Sequence, residues 1–232
     1  MPEGPTVLVD RPSEDFIRAQ TALAHPPLVP EILLHLASDA IGLWGKTEAL
    51  ETGGALKRNL PPPYWAFAWP GGQALARYIL DHPEEVVGQT VLDFGSGSGL
   101  VAIAAAKAGA SLVCAADIDP LALVALEMNA SVNRVFIEPL SRDLIGERTR
   151  WRTVLSGDMC YERPLAERLT HWLKTLASEG TRVLMGDPGR NYFPGDGAES
   201  GLKRLATYAV PTSRDLEDRD LRETSVYLLT AN

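Results

Sequence analysis

One stretch constrains this chain more than any other: VLDFGSGSGL, residues 91–100. A short apolar run ends, Gly95, Gly97 and Gly99 alternate, and an alanine-rich helical run begins. A strand that turns through glycines into a helix is the first half of a βαβ unit, and such units build parallel sheets covered by helices. Glycine also tolerates positive φ and carries no Cβ, so a ligand can pack on the backbone there.

The pattern continues on both sides. GGQALARYILDHP reads as a helix before the first strand, TVLDF. GLVAIAAAKAG (99–109) reads as a helix and SLVCAAD (111–117) as a strand. PLALVALEMNASVN (120–133) follows as a helix with proline at its start. VFIEPL (135–140), RTVLSG (152–157) and TRVLMGD (181–187) read as further strands. RPLAERLTHWLKTLASEG (163–180) is an amphipathic helix, with Leu165, Leu169, Trp172, Leu173 and Leu176 on one face. LATYAVPT and ETSVYLLT close the chain as two β-like segments with no crossover helix between them. The expectation is a Rossmann-like α/β sheet, mostly parallel with an antiparallel C-terminal strand, and helices on both faces.

The first 63 residues read as a helical and loop extension on the substrate side, and residues 64–232 as the main domain, the whole forming one compact unit. Ser13 is placed as a cap for a helix running EDFIRAQTALA, PEILLHLASDA as a second short helix, and residues 42–63 as loop.

The ligand class follows from where acids stand around the glycines. Dinucleotide sites use GxGxxG so that a pyrophosphate sits on the helix N-terminus. Here the position three after Gly97 is Leu100, so that register fails. Asp93 precedes the first glycine by two; a carboxylate there repels a pyrophosphate but holds an α-ammonium. Asp117 closes the next strand, where a carboxylate takes the two hydroxyls of a ribose. A ribose and an amino-acid tail without phosphate describe S-adenosylmethionine.

The fourth strand runs into GDMCYE (157–162), which places Asp158 three residues before Tyr161. In this sheet type that strand end lies beside the first one, so the pair stands where a transferred group would leave the cofactor. An amine nucleophile meeting the cofactor there would have to lose its proton before attack. Asp158 can orient such an amine, and Tyr161 can supply a wall and a hydroxyl. The bland alternative is Asp158 capping the following helix with Tyr161 in the core. Cys160 between them reads as packing. Base and amide methylation sites often carry Asn/Asp-Pro-Pro-aromatic here, and Asp-Met-Cys-Tyr departs from that pattern.

These motifs, together with PPPYWAFAWPGGQALARYILDHPEEV, ADIDPLA and VLMGDPGRNYFP, resemble class I S-adenosylmethionine-dependent methyltransferases. Within that group they resemble the family of lysine methyltransferases that modify the β subunit of electron transfer flavoprotein, and more distantly the ribosomal protein L11 methyltransferases. The resemblance implies a seven-stranded sheet and assigns roles. Asp93, Gly95, Ser96 and Gly97 would hold the methionine part, with Gly99 opening the helix. Asp117 would take the ribose, Ile118 would pack on adenine, Asp143 would meet the adenine amino group, and Trp69 would line the pocket. For Asp143 a helix cap or an exposed acid stays open. Asp158 and Tyr161 would be catalytic. Trp65, Phe67, Glu162, Asp187 and Arg190 would shape the protein-substrate side, with Asp187 and Arg190 pairing with each other as the alternative. Other readings are methylation of a ribosomal protein (L11-like or L7/L12-like) or of a small molecule, and a non-catalytic cofactor-binding module.

Composition narrows the partners. The net charge of −8 repels nucleic acid and anionic membrane. Arg142, Arg148, Arg150 and Arg152 are interrupted by acids and read as a solvated face. The four histidines show no metal-ligand spacing. Two lone cysteines and the lack of a signal-like or membrane-length apolar run point to the cytoplasm, and the lack of an accessory domain to a monomer.

Overall fold

A computed structural model describes residues 11–45, 61–148, 150–195, 197, 200–212, 217 and 219–230. Seven strands form the main sheet: β3 (Thr90–Phe94), β4 (Leu112–Asp117), β5 (Glu138–Ser141), β6 (Thr153–Gly157), β7 (Arg182–Asp187), β8 (Leu202–Pro211) and β9 (Leu221–Leu229). Their order is β5-β4-β3-β6-β7-β9-β8. The first five are parallel, β9 runs antiparallel to β7, and β8 pairs antiparallel with β9 at the edge. Strand order reverses between β3 and β6, which opens a crevice at their carboxyl ends.

Both faces of the sheet are buried, as the continuous apolar strands require. Val91, Val113, Ala115, Leu155, Leu184 and Val226 face α3 (Pro70–Asp81), α4 (Leu100–Lys107) and α5 (Pro120–Asn133). Their neighbours, among them Leu92, Cys114, Val154, Val183 and Tyr227, face α6 (Arg163–Ser178). On α6 the apolar stripe Leu169, Trp172, Leu173 and Leu176 is buried as its spacing predicts, while Leu165 in the first turn is half-buried and lines the crevice.

The start of α3 is what ties this layer to the crevice. A Cβ on Gly71 would collide with the Gly186 carbonyl, and one on Gly186 with the Gly71 carbonyl. Paired glycines therefore let the helix N-terminus rest directly on the strand backbone of β7. A Cβ on Gly157 would likewise strike the Gly72 backbone.

The N-terminal segment differs from its sequence reading. A helix, α1 (Arg11–Gln20), starts before Ser13, which lies in its first turn rather than at its cap. It stops where Thr21 Oγ1 donates to the Ile17 carbonyl at 2.6 Å. TALA then pairs antiparallel with LHLA as β1 (Thr21–Ala24) and β2 (Leu34–Ala37), so the second expected helix is a strand. Tertiary partners override the local helical pattern. The His35 N–H donates to Asn129 Oδ1 at 2.8 Å and the Leu33 N–H to Asn133 Oδ1 at 3.1 Å, both from α5. Residues 40–45 form the described part of a further helix, α2, where loop was expected, and the rest of the expected loop up to residue 60 lies outside the described residues. The third parallel strand, β5, starts three residues later than VFIEPL suggests, because Arg134 turns into the left-handed region (φ 58) and the Val135 N–H closes α5 on the Ala130 carbonyl.

Candidate active site

The crevice is a cavity of about 520 Å³. On one side is the β3–α4 loop. Asp93 is buried, and its Oδ2 accepts the Ala102 N–H at 3.0 Å in the first turn of α4. The chain's own carboxylate thus takes a helix-terminal donor of the kind a pyrophosphate would use. Burial, with Asp117 adding to it, pushes the Asp93 carboxyl up to about 7.

Asp117 sits at the tip of β4. Its Oδ2 accepts the Gly97 N–H and its Oδ1 the Asp119 N–H, both at 2.9 Å. Each oxygen keeps a lone pair toward the cavity it lines. Gly97 has φ +49, and the nearest atom to a Cβ there is the Trp65 Cα at 3.7 Å, so this is the glycine whose bare face meets the open space. Gly95 also lines the cavity, but its missing Cβ makes room for the Met159 thioether. Gly99 caps α4 with φ 81 outside the wall, where a Cβ would strike Leu126 of α5. Ser96 lines the cavity, and its buried Oγ has no hydrogen-bond partner among the described residues.

Ile118, 74% exposed, and Asp143 lie on the same wall. Asp143 is not a helix cap. Its Oδ1 takes the Ile145 N–H at 2.9 Å and its Oδ2 an Arg168 N–H at 2.8 Å, and together these hold its carboxyl below the usual range against partial burial.

Aromatic rings close the other side. Trp69 caps α3 and donates its indole N–H to the Tyr64 carbonyl at 2.8 Å. Its ring lies 5.6 Å from Phe67 and 6.0 Å from Tyr64, and Tyr64 lies 5.2 Å from Tyr161. Trp65 reaches the wall but is 1% exposed and packs mainly in the core. Burial pushes the Tyr161 hydroxyl up to about 12, so it stays a neutral phenol. The Cys160 thiol, also pushed up to about 12 by burial, stays unionised behind it.

Asp158 projects from the end of β6 with φ 59, a left-handed conformation that aspartate adopts more readily than most residues. Its N–H donates to the Gly186 carbonyl at 2.9 Å, and its Oδ2 accepts the Gly72 N–H at 3.0 Å. It does not cap α6. Arg190 donates to its Oδ1 through Nε at 2.9 Å and through Nη2 at 2.6 Å. Burial raises the Asp158 carboxyl, against the pull of that guanidinium.

Asp187 and Arg190 do not pair through their side chains, contrary to the alternative drawn from sequence. Asp187 Oδ1 accepts the backbone N–H groups of Gly189 and Arg190 at 2.7 Å, because it closes the turn after β7. Its Oδ2 is buried without a partner, and burial beside Asp158 pushes the carboxyl up to about 7. Arg190 reaches the cavity wall; Asp187 and the exposed Glu162 do not.

Sequence reasoning missed several neighbours. Tyr64 could have been found beside Trp65 in PPPYW, and Gly72 from the glycine pair opening α3. Met159, Arg142 and Arg168 carried no signal beyond proximity. Glu217 carried none: it comes from the β8–β9 connection, with a side chain 4% exposed, and accepts from Arg190 at 2.6 Å.

The residues present fit S-adenosylmethionine. Asp93 and the orphaned Ser96 hydroxyl suit its amino-acid end, Gly97 its close approach, Asp117 its ribose, and Ile118 an aromatic base. The sequence model of the ribosomal protein L11 methyltransferase (PrmA) family matches residues 74–150, which include this cradle and stop short of Asp158. The electron transfer flavoprotein beta subunit lysine methyltransferase of Danio rerio is 44% identical over 218 residues, 92% of this chain and 82% of the relative. The Homo sapiens protein of the same name is 40% identical over 206 residues, 86% and 75% of the two chains. Among solved structures, magnesium protoporphyrin IX methyltransferase from Synechocystis with bound S-adenosylmethionine aligns with a TM-score of 0.53 at 18% identity, over 83% of this chain and 92% of that one. At that identity the likeness is one of fold.

Proposed function

The chain belongs to the family of electron transfer flavoprotein beta subunit lysine methyltransferases, and we propose that its cavity binds S-adenosylmethionine and directs methyl transfer to lysine side chains of that flavoprotein's beta subunit. One observation carries the reading: Asp93, Asp117, Asp158 and Tyr161 all line a single cavity. When bound, S-adenosylmethionine supplies an electrophilic methyl group on a positively charged sulfur.

We assign the chain's residues as follows. Asp93, Ser96 and Gly97 hold the amino-acid end, with Gly95 and Gly99 shaping the loop. Asp117 holds the ribose, and Ile118, Asp143 and Trp69 enclose the remainder. Deprotonating an ordinary lysine costs about 4–5 kcal/mol at neutral pH. Tyr64, Tyr161 and Trp69 exclude water around the amine and so lower its pKa. Asp158 positions the amine through the remaining acceptor on Oδ2, and the Tyr161 phenol forms the facing wall. A nitrogen–carbon bond forms, the carbon–sulfur bond breaks, and the amine proton leaves to solvent.

The described part of the first 63 residues is assigned to the substrate side, because it brings the Trp44 ring centroid to 5.5 Å from that of Tyr64. Phe67 and Trp65 back that wall, and exposed Glu162 is placed to meet a basic stretch of the substrate. We further propose a cytoplasmic monomer that avoids nucleic acid and membranes, on its net charge of −8. No helix among the described residues is long and apolar enough to cross a membrane.

Incubation with radiolabelled S-adenosylmethionine and purified electron transfer flavoprotein is expected to label lysines of the beta subunit. Label that appears only on another protein of a deletion-strain extract removes the substrate assignment.

Asp93 makes cofactor binding depend on pH. Its carboxyl is raised to about 7, so below that value the protonated form dominates. An α-ammonium prefers the carboxylate, so affinity is full above about 7 and falls on acidification, approaching about tenfold per pH unit well below it. Calorimetry from about pH 5.5 to 7.0 keeps an α-amino group mostly protonated. Asp93→Asn is expected to weaken binding and flatten the profile. A flat wild-type profile would remove this role for Asp93.

A further inference from the structure

We propose that Glu217 is a positioning residue for methyl transfer, acting on Asp158 through Arg190. The proposal rests on the role given to Asp158 above. An isolated guanidinium–carboxylate pair favours a fork, with two parallel bonds covering both carboxylate oxygens. Here the arrangement is different. Arg190 Nε and Nη2 both fall on Asp158 Oδ1, while Nη2 also donates to Glu217 Oε1 at 2.6 Å. Among the described residues, Asp158 Oδ2 receives only the Gly72 N–H.

Glu217 is therefore the second anchor that turns the guanidinium away from Oδ2. The backbone of Arg190 is pinned by Asp187, and its guanidinium carbon lies 5.6 Å from the Trp69 ring centroid, so the remaining freedom is a pivot of the guanidinium. Arg222 Nε stands 3.6 Å from the Glu217 Oε2, an ion-pair contact longer than a hydrogen bond. Both ends of the Asp158–Arg190–Glu217 chain are shielded from water, with side chains 8% and 4% exposed. Without the Glu217 charge, Arg190 closes into the fork and covers the oxygen that receives the target amine.

The test measures kcat and KM on the flavoprotein beta subunit, and cofactor dissociation constants by calorimetry, with full-length enzyme. Glu217→Gln is expected to lower kcat roughly tenfold, the scale of a small misplacement at the reacting centre, with cofactor affinity within about twofold of wild type. Lysine cannot form the fork. In an Arg190→Lys background the same change is therefore expected to cost less than about threefold, a non-additivity that residues acting through one another show. An unchanged kcat overturns the proposal, and so does an equal loss in both backgrounds, which is the mark of a purely structural anchor. Where Glu217→Gln lowers the melting temperature too far for comparison, Glu217→Asp keeps the charge but withdraws it, and an intermediate loss of kcat is expected; a wild-type kcat there overturns the role. A wild-type enzyme that leaves the beta subunit unlabelled overturns the functional reading and this inference together, whereas an active wild type with an indifferent Glu217 overturns the inference alone.

Discussion

Asp158→Ala is expected to lower kcat for beta-subunit methylation by about 10²–10³-fold while cofactor affinity stays within about threefold. Asp158 stands at the end of β6, the strand beside β3, and is not assigned to hold the cofactor. Its carboxylate is fixed by three N–H groups, from Gly72 and Arg190, in a backbone conformation that its own N–H stabilises on the Gly186 carbonyl. Such a group gains little from strong general-base chemistry, because its charge also favours the protonated amine. Its contribution is to hold the lone pair of the amine on the line of attack. Removing it leaves Arg190 with Glu217 alone, so some loss of stability accompanies the loss of rate. Single-turnover rates, measured below the melting transition with cofactor binding confirmed by calorimetry, separate the two. Turnover within a fewfold of wild type would sink the assignment of Asp158 and leave Tyr161 without its partner.

Gly71→Val is expected to cost about 3 kcal/mol or more, which for a chain of this size lowers the melting temperature by roughly 6–12 °C. The reason is a backbone collision that no rotamer can relieve: the new Cβ meets the Gly186 carbonyl. The Asp158 Oδ2 lies 2.5 Å from the same position, so any surviving fold has its carboxylate displaced and its turnover reduced. Gly45→Ala is the control. Nothing among the described residues lies within 4 Å of a Cβ there, and the expected change is within about 0.5 kcal/mol. Thermal melts of the two variants beside wild type decide the matter. A Gly71→Val protein that melts with wild type would mean that α3 does not rest on β7 as described.

Much of the site was legible because the chemistry is local. The β3–α4 loop, Asp93, Asp117 and the Asp158–Tyr161 pair each sit at a strand end, and a strand end before a helix is visible in apolar patterning. Other parts were misread for physical reasons. PEILLHLASDA has a helical pattern, but Asn129 and Asn133 of α5, far along the chain, recruit its backbone and make it a strand. Gly95 lines the cavity and Gly99 opens α4 as read, but spacing does not reveal that their missing Cβ atoms also make room for Met159 and Leu126. Asp187 and Arg190 are close in sequence, which suggests a pair. The turn after β7 instead spends the Asp187 carboxylate on backbone donors and sends the guanidinium to Asp158 and Glu217.

The amino-acid sequence by itself determined the βα order, the glycine turn, the phosphate-free character of the ligand site and the acid–phenol pair, since each depends on residues a few positions apart. Tertiary structure alone decided which glycines face open space, that Tyr64 stands against Tyr161, and that Arg190 is shared between Asp158 and Glu217. Those contacts join residues from distant strands and loops. They depend on side-chain direction and on which polar groups lose water when the layers close, and neither is written in local spacing.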